Sequence, residues 1–428
     1  MKVAYCSLGC KVNDYETLAI VDEFLINGFE LVDFNSKANV YIINTCTVTA
    51  IADSKSKKMI RRAIRLNPSA CIAIMGCYAK LHQEEILKME GVSVIIGTSD
   101  RTSLFSRVMT FLERGTKSCS FYDLDTYEEL KLTSLINHTR AFIKIQDGCD
   151  NYCSYCAIPF ARGKSRSREV MSIIDEINLF GKTEVVLSGI NIGKYGLDKN
   201  FNLVSLLKII FDKCKDFIRL RISSIEMLDV TDELLELLYE NKKRFAMHFH
   251  LPLQSGSNKT LLLMNRNYTQ VDYENIVNKI TLLFPYVNIT SDILVGFPLE
   301  DEIDFRNAFD FTKNMNFGET HVFVFSKRPN TLAYNFEQLN PLVKKKRSNE
   351  YIKLNDINAL KYRESLKNNK VINSVLVEKV FLDHVLGYSE YYVLIRINNP
   401  NLKVGTLVKV HIIETAYPIS VGVEVNDV

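Results

Sequence analysis

The sequence predicts an α/β protein in three parts: a parallel sheet covered by helices, an open partial barrel of six strand–helix units, and a small antiparallel β-barrel. Three observations carry this. Short apolar runs alternate with amphipathic stretches through most of the chain, the pattern of parallel strands joined by helices. In the central part the alternation repeats six times, too few for a closed eight-unit barrel. The C-terminal stretch has only strand-like runs, separated by Gly387, Asn398-Asn399-Pro400 and Gly405, as in a small barrel.

The first part, 1–120, has candidate strands at Val3–Cys6, Val40–Asn44, Cys71–Met75 and Val92–Ile96. Asn13-Asp14-Tyr15-Glu16 reads as an N-cap with acidic residues in the first turn, and Gly28 closes that helix. The second part, 135–365, has strands at Ala141–Gln146, Glu184–Ser188, Ile218–Ser223, Met247–Leu251, Val287–Leu294 and Thr320–Phe325. A charged helix from Pro341 to about Lys370 ends it. The third part, 368–428, has strands at Val375–Glu378, Tyr391–Ile397 and Leu407–Ile412.

Of the 428 residues 47% are hydrophobic and 24% charged, an ordinary soluble composition. A net charge of +3 neither demands nor excludes a polyanionic partner. Ser7-Leu8-Gly9-Cys10 superficially resembles a lipoprotein cleavage site, but too little chain precedes Cys10 for a leader. No apolar run is long enough to span a bilayer, so the expectation is a cytoplasmic protein with no membrane partner. Ten cysteines in so long a chain point to metal or redox chemistry rather than a disulfide scaffold.

Cys149, Cys153 and Cys156 form C-x3-C-x2-C directly after the first strand of the six-unit part. Three thiolates on one loop can hold three irons of a 4Fe–4S cubane and leave the fourth iron open. A structural zinc site wants four ligands, and none completes the set nearby. Cys10, Cys46 and Cys77 each follow a predicted strand, and consecutive strand ends of a parallel sheet share one edge. Taken alone, this second trio is read equally well as buried core thiols or as cluster ligands. Cys6, Cys71, Cys119 and Cys214 are read as structural.

With Tyr155 before its third cysteine, the C-x3-C-x2-C run resembles the radical S-adenosylmethionine (SAM) signature. The resemblance implies that SAM chelates the open iron and is cleaved to a 5′-deoxyadenosyl radical. It also implies SAM contacts at strand ends: Ser188 and Gly189 for the methionyl amine, Ser224 and Glu226 for the ribose, Gly296 and Pro298 for the adenine. Gln254 lies in His250-Leu251-Pro252-Leu253-Gln254-Ser255-Gly256-Ser257, which resembles a further segment of the same barrel.

Ser7-Leu8-Gly9-Cys10-Lys11-Val12-Asn13, Asn44-Thr45-Cys46-Thr47-Val48-Thr49 and Gly76-Cys77-Tyr78-Ala79 resemble the N-terminal domain of methylthiotransferases. The likeness runs in order along nearly the whole chain: cluster-binding domain, radical-SAM barrel, and a C-terminal TRAM barrel of the kind that binds tRNA. It implies two 4Fe–4S clusters, with Cys10, Cys46 and Cys77 on the auxiliary one. It also implies two uses of SAM: methylation of a sulfur on the auxiliary cluster, then radical attack at C2 of an adenine. Phe142–Cys149, Ala157–Gly163 and Ser326–Thr331 look most like the branch acting on N6-threonylcarbamoyladenosine beside the anticodon. The alternatives are N6-isopentenyladenosine in tRNA, a ribosomal-protein aspartate, or a non-catalytic Fe–S RNA-binding protein.

The expected partners are a tRNA anticodon stem-loop, an electron donor and a sulfur source. Arg162, Lys164, Arg166 and Arg168 form a basic run beside the catalytic loop and are expected to meet RNA phosphates. Lys57–Arg65 and Lys344–Arg347 are further basic runs that serve equally well as solvated helix faces.

Overall fold

A computed structural model describes residues 1–134, 139–181 and 184–425. The boundary expected at 135 and the end of the chain at 426–428 lie outside the described residues.

Six parallel strands form the N-terminal sheet, in the order Glu30–Leu31, Lys2–Ser7, Val40–Thr45, Cys71–Gly76, Val94–Ile96 and Ser118–Ser120. Alternate side chains of the inner strands enter opposite layers, as the two-residue period of a strand requires. Val40, Ile42, Ala73 and Met75 pack under helices Lys11–Ile26 and Leu104–Arg114. Tyr41, Ile43, Ile72 and Ile74 pack under helix Ala50–Leu66. The two edge strands, Glu30–Leu31 and Ser118–Ser120, are short and carry no apolar run, so the sequence does not signal them. The first helix begins at Lys11 with Cys10 at its N-cap, not at Asn13. Asn13 is buried, and its amide donates to the carbonyls of Leu8 (2.8 Å) and Thr45 (3.2 Å). It ties two strand-end loops together instead of capping.

The central strands are Arg140–Lys144, Glu184–Ser188, Arg219–Ile222, His248–His250, Asn288–Val295 and Glu319–Val324. They run parallel in chain order, the third and fourth joined through the bridges Leu220–Phe245 and Ser224–His250. The sheet curls into an open barrel, and helix Pro341–Asn368 packs along its last strand. Its core is the largest in the molecule, formed by strand faces such as Ile143, Leu187 and Ile293 with helix residues such as Ile173 and Leu207.

The C-terminal strands Ile372–Val380, Val385–Ser389, Leu394–Ile397, Leu407–Glu414 and Ile419–Glu424 close into a barrel. Four of its ladders are antiparallel, as expected; the one between Leu394–Ile397 and Ile419–Glu424 is parallel. This small barrel docks on the central one through Arg219 and Arg221. Both guanidiniums share the buried Glu184 and donate to the carbonyls of Ser374 (2.7 Å) and Ser389 (3.1 Å). Among the described residues, no helix is long and apolar enough to cross a membrane.

Candidate active site

Cys10, Cys46 and Cys77 follow three strands that are neighbours in the N-terminal sheet, so all three thiols stand on its C-terminal edge. Gly9 has φ +105°, and a Cβ on it would lie 2.8 Å from Cys46 Sγ. Only glycine lets the first loop approach that thiol. Burial, with the nearby Cys46 and Cys10 thiolates adding to it and Arg162 opposing, pushes the Cys77 thiol up to about 12. Thiols that repel one another in this way occupy one locale, and each gains from a cation that neutralises it.

Cys149, Cys153 and Cys156 sit on the loop after the first barrel strand. Gly148, φ +75°, starts it, and a Cβ there would be 1.9 Å from the Lys164 carbonyl oxygen. Burial, then the neighbouring Cys153, pushes the Cys156 thiol up to about 12. Asn191 Nδ2 lies 3.8 Å from Cys149 Sγ and Arg266 Nη1 3.5 Å from Cys153 Sγ. These donors can stabilise thiolate charge.

The donor chemistry fits iron–sulfur clusters. A cubane takes one thiolate per iron, so each trio suffices for three of its four irons.

A cavity of about 410 Å³ opens beside Cys10 of the first trio, and Cys153 of the second lines a separate one. Gly9, Cys10 and Lys11 line it from the N-terminal domain; Ser188, Gly189, Ser223 and Ser224 line it from barrel strand ends. The small barrel contributes Tyr392, whose ring stacks on His248 with centroids 4.7 Å apart. Tyr392 has φ +59°, an uncommon backbone for a bulky side chain, and that conformation is part of how its ring reaches the cavity.

A buried charge cluster locks the trios together. Arg162 donates to Glu16 (2.9 Å), Asp147 (2.7 Å) and Asn13 Oδ1 (2.7 Å). Lys144 donates to Glu16 and Asp147, both at 2.6 Å, and Arg101 also meets both. Burial alone would raise the Glu16 pKa, but Arg101, Arg162 and Lys144 outweigh it and hold Glu16 at about 2. Arg162 follows the second trio on the chain, while Glu16 and Asn13 belong to the helix capped by Cys10. One guanidinium therefore bridges the two cysteine sites.

This corrects the expected RNA-facing loop. Arg162, Arg166 and Arg168 are 1%, 5% and 2% exposed. Arg166 donates to the Leu124 carbonyl, and Arg168 pairs with Glu129 and Glu176. Only Lys164 of that run is exposed. The carboxylates that absorb the charge lie elsewhere in the chain, so a local reading shows only the basic half. In the run Lys344–Arg347, Lys344 and Arg347 are likewise buried, Arg347 against Glu300.

Residues 2–97 match the family described as Uncharacterized protein family UPF0004, and residues 143–312 match the Radical SAM superfamily. The threonylcarbamoyladenosine tRNA methylthiotransferase MtaB of Bacillus subtilis is 38% identical over 98% of this chain and 95% of its own. Its Aquifex aeolicus counterpart is 36% identical over 93% of this chain and all of its own. The tRNA-2-methylthio-N(6)-dimethylallyladenosine synthase of Pelagibacter ubique is 31% identical over 97% of this chain and 95% of its own. The chain belongs to the radical-SAM methylthiotransferases. It is therefore an enzyme that uses SAM and a 4Fe–4S cluster. Among solved structures, the radical-SAM methyltransferase TsrM of Kitasatospora setae shares the fold, with a TM-score of 0.56 at 14% identity. That match covers 78% of this chain and 74% of TsrM.

Within this methylthiotransferase the expected SAM contacts fall in separate places. Ser188, Gly189 and Ser224 line the main cavity. A Cβ on Gly189 would strike the Ile192 side chain at 2.7 Å, so that corner has room only for glycine. Glu226 lines a neighbouring cavity with Cys153 and forms a two-pronged ion pair with Arg266. Tyr155 and Gln254 line a third with Thr49. Gly296 and Pro298 are buried and line none of these; a Cβ on Gly296 would meet Lys344 at 2.7 Å. Sequence reasoning missed Lys11, Tyr392 and Arg266. Lys11 is adjacent to a cysteine already singled out, whereas Tyr392 and Arg266 carry no local signal.

Proposed function

We propose that this enzyme places a methylthio group on C2 of N6-threonylcarbamoyladenosine beside the anticodon of a tRNA. The observation that supports it is a cavity that joins Cys10 of one trio to barrel strand ends, with Cys153 of the other trio on a neighbouring cavity, in a chain aligned nearly end to end with enzymes named for that substrate. The second cluster, on Cys10, Cys46 and Cys77, is part of this proposal. When bound, SAM and the clusters supply the radical and the sulfur, chemistry that side chains cannot provide at an aromatic C–H.

The chain's own residues do the rest. Cys10, Cys46 and Cys77 would hold one cluster and Cys149, Cys153 and Cys156 the other, each through three thiolates. Gly9 and Gly148 let the cysteine loops close tightly. Arg162 fixes the separation of the trios, because its partners belong to both domains. Tyr392 and His248 stack as part of the cavity wall, where they exclude water from a reactive radical. The adenosine leaves its loop stack to enter. An electron donor and a sulfur source of the cytoplasm complete the cycle.

The test is anaerobic turnover with SAM, a reductant and tRNA carrying the threonylcarbamoyl group, followed by mass spectrometry of nucleosides. The methylthio derivative of that nucleoside is expected. Product only from tRNA carrying dimethylallyladenosine would overturn the substrate assignment.

A further inference from the structure

The cavity wall contains a cation that is in contact with no anion. Lys11 is half-buried in its wall, and among the described residues it makes no hydrogen bond and no ion pair. Its nearest aromatic neighbour is Tyr392, 5.8 Å from ammonium to ring centre. The other cations on that side are ion-paired: Arg140 with Glu378 at 3.0 Å and Arg221 with Glu184 at 2.8 Å. An ammonium taken out of water without a partner is costly, and a ligand carboxylate would offset that cost.

The barrel side of the cavity is built differently. Asp292 Oδ1 lies 3.2 Å from His250 Nε2 and 3.1 Å from His321 Nδ1. Thr290 Oγ1 orients two imidazoles at once, His248 at 2.9 Å and His250 at 2.8 Å. Glu319 lies 3.8 Å from His321 Nε2. Lys11, His248, His250, Asp292 and His321 all line the one cavity, so the two sides face a common space. One side offers carboxylate and imidazole to N–H and O–H groups, and the other offers an ammonium to an anion.

We propose that Lys11 is the specificity-determining residue that receives the carboxylate of the substrate's N6 side chain, while Asp292 and His321 meet its urea and hydroxyl groups. This deepens the threonylcarbamoyl reading and rests on it. A threonylcarbamoyl group carries those functions on one short chain. An apolar dimethylallyl group would leave Lys11 unpaired in a partly dry cavity, and such sites reject analogues that lack the matching polar group.

The test uses reconstituted, unreduced enzyme with SAM and anticodon stem-loop RNAs that differ only in the N6 group: the free threonylcarbamoyl acid, its methyl ester, and dimethylallyl. Dissociation constants are read without turnover. The parent binds the free acid about tenfold more tightly than the ester, the scale of one charge-assisted hydrogen bond. Lys11→Gln binds the two alike, Lys11→Arg keeps the preference, and His321→Gln weakens both while keeping their ratio. A parent with no preference for the acid, or a Lys11→Gln variant that retains it, overturns the proposal. The parent comparison needs no variant, so it stands even where Lys11→Gln disturbs the adjacent Cys10. Turnover separates the two levels of the claim. Equal methylthiolation of acid and ester sinks the role of Lys11 alone, whereas reaction of the dimethylallyl RNA and not the acid sinks the substrate reading itself.

Discussion

At the scale of single residues, Arg162 shows how position can outweigh residue type. It lies in a run of basic residues, yet it is among the most deeply buried side chains of the protein. Its removal leaves Glu16 and Asp147 short of a partner in a low-dielectric seam. Breaking a buried pair from one side costs about 3–5 kcal/mol. Arg162→Gln is therefore expected to lower unfolding free energy by that order in denaturant titrations, with methylthiolation lost while either cluster can still be assembled. Wild-type stability in this variant would mean that the seam does not hold the domains. The two cysteine sets are separable in the same way. Cys10→Ala is expected to abolish methylthiolation while 5′-deoxyadenosine still forms, measured by chromatography of anaerobic reactions. Loss of both products would show that the sets do not act independently.

At the scale of elements, helix Lys11–Ile26 carries Cys10 at its cap, Lys11 on the cavity and Glu16 in the seam. Its docking is pH-dependent with a definite sign. Glu16 is held at about 2 against an ordinary 4.5, so it contributes stability that is fully present above 4.5 and lost as pH falls toward 2. The difference in unfolding free energy between parent and Glu16→Gln is expected to shrink across that window. A difference that grows on acidification would contradict the ion-pair assignment. With most of the Arg162 run buried, helix Ala50–Leu66 is the basic face we propose to meet tRNA phosphates. It exposes Lys55, Lys58, Arg61, Arg62 and Arg65, and none of them has an ion pair among the described residues. Its N-terminus is anchored beside the Cys46 loop, where Ala50 N donates to Ser326 Oγ at 3.3 Å. Replacing Lys58, Arg61 and Arg62 by Gln is expected to reduce the salt slope of tRNA binding by about two. An unchanged slope would assign that face to solvent.

The inner strands were legible because each is an apolar run ended by glycine or a polar turn, as in Cys71–Gly76. Both cysteine trios were legible because their spacing or strand-end context is local. The Arg162 seam was not, because Glu16 lies 146 residues earlier in the chain. Nor was the role of Tyr392, which depends on the small barrel docking against the central one.

At the scale of the whole molecule, three units meet at one cavity. The N-terminal sheet brings Cys10 and Lys11, the open barrel brings the strand ends that follow the second trio, and the small barrel brings Tyr392. No unit holds the site alone. The seam around Glu16 and the Arg219–Glu184–Arg221 junction set how the units meet. The account depends on both trios being loaded. The most direct measurement is iron content with Mössbauer spectroscopy on oxygen-free protein, alongside variants with one trio replaced by alanine. The account predicts about eight irons in the parent, as two cubanes, and about four in each variant. Zinc at either trio, or four irons in the parent that vanish with only one trio, would contradict it.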